Sequence, residues 1–108
     1  MGKSSIDINN YYDEEVVVHI EDDVIFVYRD SEFFKVSSDV EKYIRSLNIT
    51  PLEKRYLTRK FFSNSYPDKV SKRGELRIDD SFLKNIAVDG NIYVTHKDNK
   101  VEIHGKKR

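Results

Sequence analysis

Apolar residues crowd two short runs before residue 30. Val16-Val17-Val18-His19-Ile20 is β-branched and stops at Glu21-Asp22-Asp23, a turn by composition. Val24-Ile25-Phe26-Val27-Tyr28 then resumes, which predicts a hairpin over about 16–28. The period lengthens afterwards. Asp30 or Ser31 offers a short side-chain oxygen to cap a turn around Glu32-Phe33-Phe34. Ser38 or Asp39 can open a second helix in which Val40, Tyr43, Ile44 and Leu47 fall at i, i+3, i+4 and i+7, one buried stripe. The clearest start is Thr50-Pro51-Leu52-Glu53, a capping box with Pro at the first helical position. That helix should run to Phe62 or Ser63, where Ser-Asn-Ser-Tyr-Pro breaks it. Leu52, Tyr56 and Lys60 share one of its faces, and Arg55, Arg59 and Phe62 another.

Strand patterning returns beyond Pro67. Lys69–Val70 and Leu76–Ile78 flank the loop Ser-Lys-Arg-Gly-Glu as a candidate hairpin. Asp80-Ser81 can cap a short helix through Phe82, Leu83 and Ile86, and Asp89-Gly90 reads as a turn. Asn91–His96 and Lys100–His104 form a second hairpin around Asp98-Asn99, and Gly105–Arg108 reads as a frayed tail. The two ends of the chain echo each other. Ile6-Asp7-Ile8, a short segment with Tyr11-Tyr12, and Val16–Tyr28 parallel Leu76-Arg77-Ile78, Phe82-Leu83 and Ile92–His104. Val16, Val18, Asp22, Ile25 and Val27 match Ile92, Val94, Asp98, Val101 and Ile103 at a constant offset of 76. Each unit reads as strand, short helix, strand, turn, strand, and each is too small to bury its own face. The expected class is α+β, a single domain over 1–108 with units at about 5–28 and 69–104 joined by helices over about 31–63.

Composition agrees with one compact, soluble domain: 108 residues, 38% hydrophobic and 35% charged. The absence of Cys excludes disulfides and thiolate metal sites and suits a reducing, cytoplasmic setting. No apolar run reaches the ~18 residues of a membrane span, and Met1–Ile6 has neither a signal-peptide core nor a myristoylation pattern. Gly2-Lys3-Ser4 lacks the upstream strand and glycine of a phosphate loop. No nucleophile elbow, dinucleotide loop or zinc signature is present. His19, His96 and His104 lack metal-type spacing and read as ordinary strand or surface residues. A non-enzymatic protein without cofactor, metal or small-molecule substrate is expected.

Net charge is zero but uneven. Residues 1–53 carry 5 Lys and Arg against 12 Asp and Glu, whereas residues 54–77 carry 8 against 2. A local basic segment keeps a nucleic-acid or acidic partner in view. Within it, Lys69, Lys72, Arg73 and Arg77 place four cations in nine residues, Gly74 permits positive φ, and Glu75 opposes phosphate approach.

Over roughly residues 16–104 the chain resembles the MraZ transcriptional regulators, which are built from two tandem AbrB-like swapped-hairpin units. Val24–Tyr28 with Glu32-Phe33 looks like the family's strand-to-helix pattern, and Arg59–Ser65 resembles its helix end. The spacing from Arg59 to Gly74 resembles the family's spacing to the glycine of its Asp-x-x-Gly-Arg loop. Leu76-Arg77-Ile78, Phe82, Val88, Ile92–Val94 and Val101–Ile103 follow in the family's order. The signature Asp falls on Ser71, the Arg on Glu75, a Pro on Asp79 and a terminal Trp on His104. In the first unit the family's opening strand and loop are reduced to Gly2–Asn9.

The resemblance implies two pseudo-repeated β-α-β-β units joined by connecting helices. It also implies a DNA-binding transcriptional regulator that acts as a homo-oligomer in the cytoplasm, at the nucleoid. Lys72, Arg73 and Arg77 are the expected phosphate contacts, with Lys69 and Lys3 behind them. Ser71, Glu75 and the reduced first loop favour an alternative: a degenerate module that keeps the oligomer surface, no longer reads DNA, and binds itself or a full-length relative.

Overall fold

The computed structural model describes residues 2–86 and 91–105. The described residues form a mixed α+β arrangement of three helices and seven strands in two antiparallel sheets. In chain order the elements are β1 (Lys3–Asp7), β2 (Glu15–Glu21), β3 (Val24–Arg29), α1 (Asp30–Ser46), α2 (Pro51–Ser63), β4 (Ser65–Lys69), β5 (Glu75–Asp79), α3 (Asp80–Ile86), β6 (Ile92–His96) and β7 (Val101–Gly105). The larger sheet has the order β4-β2-β3-β7-β6; β1 and β5 pair alone. The expected Asp89-Gly90 turn, Val88 and the tail beyond Gly105 lie outside the described residues.

Both sequence-predicted hairpins form, β2–β3 and β6–β7, because β-branched alternation meets short polar turns. They then join each other. β3 runs antiparallel to β7 with Ile25 opposite Ile103, Val27 opposite Val101 and Phe26 opposite Glu102, the last pair lying 76 positions apart. One face of this sheet presents Val16, Val18, Ile25, Val27, Val101 and Ile103, all fully buried. Ile6, Ile8, Leu76 and Ile78 from the β1–β5 region close over it in one cluster. Each such side chain contributes about 1.5–3 kcal/mol on burial.

Several sequence expectations are corrected. Lys69–Val70 and Leu76–Ile78 are not two arms of a hairpin: β4 pairs with β2, and β5 leaves to pair with β1 in the other sheet. The Ser-Asn-Ser-Tyr-Pro break is followed at once by β4. Pro67 fits there because β4 is an edge strand and the missing amide takes no ladder bond. The Tyr11-Tyr12 segment is not helical. It is a pair of turns in which Asn10 and Asp13 take φ of 74° and 58°, a conformation that short polar side chains tolerate. The cap of α3 is Asp79 rather than Asp80. The Asp79 carboxylate accepts from the Ser81 amide (2.9 Å) and hydroxyl (2.8 Å), while Asp80 accepts from Ser4 Oγ across the sheet.

The two short helices expected over 30–47 are one continuous helix without a side-chain cap. Of the proposed stripe only Ile44 is buried, and Tyr43 is 65% exposed. The Thr50–Glu53 capping box is present in full, yet α2 buries no residue completely. Leu52 and Tyr56, placed on a common face from sequence, are 73% and 63% exposed. The reason is geometric. The α1–α2 hairpin rests on β4, β2 and β3 at one end of the sheet's second face, through Phe33 and Phe61 stacked 5.9 Å apart and Tyr28 beside Phe33.

His19 is a strand residue, on β2, but not a surface one: it sits buried beneath that aromatic pair. Its ring lies 4.7 Å from Phe61; Nδ1 shares a 2.6 Å hydrogen bond with Ser65 Oγ, and Nε2 lies 3.4 Å from Glu21. Burial pushes its pKa below the ordinary value near 6.5, opposed in part by Glu21. The folded state therefore holds His19 neutral, whereas the unfolded chain protonates it near pH 6.5. Its stabilising contribution should be complete above that pH and decline below it until the folded imidazole itself protonates. Denaturant midpoints should therefore fall between pH 7.5 and 5.5 in the wild type and fall less in His19→Gln; identical slopes would refute this assignment.

Candidate nucleic-acid interface

The basic loop follows β4 and leads into β5. Its conformation is set by Ser71 and Gly74. Ser71 Oγ accepts from the amides of Arg73 (3.2 Å) and Glu75 (3.1 Å), and the Gly74 amide donates to the Ser71 carbonyl at 3.0 Å. Ser at the first position and Gly at the fourth suit such a turn. Gly74 has φ of 84°, and a Cβ there would lie 2.7 Å from Tyr12 Cε1 and 3.3 Å from the Ile8 carbonyl oxygen.

The turn is seated on the first loop of the chain. The Ile8 amide donates to the Gly74 carbonyl (2.6 Å), the Asp13 amide to that of Ser71 (3.0 Å), and the Val70 amide to that of Glu14 (2.9 Å). Beneath it, Arg29 lies 4.0 Å above the buried Tyr11 ring and pairs with Glu14 at 2.9 Å. Lys72 and Arg73 are thus displayed on a braced turn rather than a loose one. Both are exposed, and neither makes an ion pair among the described residues.

The remaining expected contacts are less favourably placed. Lys69 is held by Asp13 at 3.3 Å. Arg77 and Lys3 lie on the outer face of the small sheet, where Lys3 stands opposite Asp79, Ser5 opposite Arg77, and Asp7 opposite Glu75. Three carboxylates therefore share that face with two cations. Lys3 is four positions along the ladder from the turn end, about 13 Å at strand rise. The five residues do not form one cluster: Lys72 and Arg73 stand together, and the others follow with acidic neighbours.

Ser71, Tyr12 and Asp13 are the structural residues that sequence reading did not assign to the site. The Ser-x-x-Gly spacing signals the first. Nothing local signals the other two, because their partners lie across the fold. No group of three or more His, Cys, Asp or Glu side chains comes together among the described residues as a metal site. The ring nitrogens of His19 are already engaged with Ser65 and Glu21. None of the described helices is long and apolar enough to cross a membrane.

Gly74→Ala should destabilise the fold by more than about 1 kcal/mol through positive φ and the Tyr12 contact. Ser71→Ala should cost about 1–2 kcal/mol by leaving two turn amides without their acceptor, and Ser71→Asp should retain most stability. Urea denaturation reads all three; a neutral Gly74→Ala would show that the turn is not the brace described. No protein-family model matches the chain, and no curated protein matches it.

Proposed function

We propose that this protein is a MraZ-like DNA-binding transcriptional regulator, with two pseudo-repeated AbrB-like units. It contacts duplex phosphates through the Ser71–Gly74 turn and acts as an oligomer. The observation that carries the reading is the display of Lys72 and Arg73, exposed and unpaired among the described residues, on a turn fixed by six hydrogen bonds. A braced turn presents its cations without first losing the conformational freedom of a loose loop. The β3–β7 register, with Phe26 opposite its sequence counterpart Glu102, supports the two-unit reading. It is the relation expected of two equivalent hairpins about an axis.

One turn with two free cations neutralises few phosphates, so a single copy binds weakly, with a shallow salt slope of about two. Repetition of the turn in an assembly would raise affinity through effective concentration. Lys69, Arg77 and Lys3 contribute less, because Asp13, Asp7, Glu75 and Asp79 stand beside or opposite them.

A second reading is favoured by that acidic balance. With three carboxylates on the outer face of the small sheet and Leu52, Tyr56 and Tyr43 exposed on the helical hairpin, the chain would serve as an interaction module without DNA reading. Fluorescence anisotropy of a labelled duplex with short direct repeats, beside a scrambled duplex, separates the two. Under the regulator reading the repeats are preferred, and Lys72→Glu with Arg73→Glu abolishes binding at near-physiological salt and lowers the salt slope by about two. Unchanged affinity in the double variant sinks the turn as the contact, and no binding by the wild type leaves the module reading in possession.

A further inference from the structure

The two edges of the large sheet are built differently. The β4 edge, Ser65–Lys69, carries Pro67, Asp68 and Lys69. Proline and charge are the usual means of keeping a sheet edge from pairing. The β6 edge reads Ile-Tyr-Val-Thr-His, with no Pro, Lys, Asp or Glu and with high strand preference throughout. Among the described residues, no strand pairs with it on the side away from β7.

The fold itself indicates what such an edge accepts. β6 occupies the place in its hairpin that β2 occupies in the other, at the offset of 76, and the outer edge of β2 is taken by β4. Ile20 donates to the Asn64 carbonyl at 2.9 Å, and the Glu14 carbonyl accepts from Val70 at 2.9 Å. By the alternation of an antiparallel ladder, Val16, Val18 and Ile20 turn their backbone groups toward β4. On β6 the Lys97 amide donates to the Lys100 carbonyl at 2.9 Å. The same alternation aims the groups of Ile92, Val94 and His96 outward. These are the counterparts of Val16, Val18 and Ile20.

We propose that the β6 edge is an assembly surface that pairs antiparallel with β6 of a second copy, about a two-fold axis at Val94. The partner is a second copy because β6 is complementary to itself in this register. Val94 opposes Val94, Ile92 opposes His96, and Tyr93 opposes Thr95, so every outward backbone group of the strand finds a partner. Tyr93 is half exposed and already stacked on His104 at 5.0 Å, and Ile92 and Val94 pack on the core, so the strand is held in place before it pairs. The inference sharpens the assembly part of the function proposed above and does not depend on DNA contact.

The test is light scattering coupled to size exclusion on the full chain without DNA, so its failure is distinct from a failure to bind DNA. The wild type should contain two copies or a multiple of two. Tyr93→Lys with Thr95→Lys places like charges across the axis, away from the core face. It should weaken pairing at least about tenfold in Kd with an unchanged circular dichroism spectrum. Mixing it with Tyr93→Glu/Thr95→Glu should restore pairs containing one of each, since position 93 of one copy opposes 95 of the other. His96→Pro removes an outward amide that β7 does not use and should likewise release single copies; it carries the test if the charged variants fail to fold. A wild type that stays single at all concentrations overturns the proposal. So does an assembly unmoved by His96→Pro, or a mixture of folded charge variants that forms no pairs.

Discussion

The antiparallel junction of β3 with β7 is the constraint on which the rest of the molecule depends. It joins two hairpins that lie at opposite ends of the chain, and it makes one apolar face out of two that are each too small to be buried alone. The β1–β5 pair closes that face with Ile6, Ile8, Leu76 and Ile78. Its strands also come from opposite ends, so the core exists only when both halves are assembled. Such non-local pairing costs loop-closure entropy before any contact forms, and it makes for slow, cooperative folding.

Placement of the basic turn follows from this junction. Because β5 must leave the large sheet to reach β1, the chain turns sharply between Lys69 and Glu75, and the turn comes to rest on the first loop of the chain. Gly74 supplies the positive φ that the reversal needs, and Ser71 supplies acceptors for the amides it strands. Lys72 and Arg73 are outermost because the residues on either side are committed to the scaffold. The same crossing puts Asp7 opposite Glu75 and Lys3 opposite Asp79, which dilutes the positive charge that the linear sequence concentrates.

The helical hairpin is held differently. It meets the sheet through an aromatic cluster of Phe33, Phe61 and Tyr28 around the buried His19, and elsewhere it presents apolar residues outward. Its attachment therefore rests on a small contact that contains a titratable group. The main core, mostly β-branched residues with Leu76 and Tyr11, holds no Asp, Glu, Lys, Arg or His among the described residues. The two layers of the molecule consequently respond to pH by different routes.

The α+β class, the two terminal hairpins, the capping box at Thr50 and the candidate turn were legible in the sequence, because each rests on contacts between near neighbours. Alternation sets a strand, Ser, Pro or Gly sets a turn, and a hydroxyl three residues before a Glu sets a helix start. The 76-residue offset also relates Phe26 to Glu102, which stand opposite each other in the β3–β7 ladder. Only the tertiary structure decided that β4 joins β2 while β5 joins β1, that Asp79 rather than Asp80 caps α3, and that His19 is interior. It alone also decided that Lys69 meets Asp13 and that Lys3 stands opposite Asp79. Each of these is settled by a partner tens of residues away, and local pattern carries no record of which distant segment will arrive at a given edge.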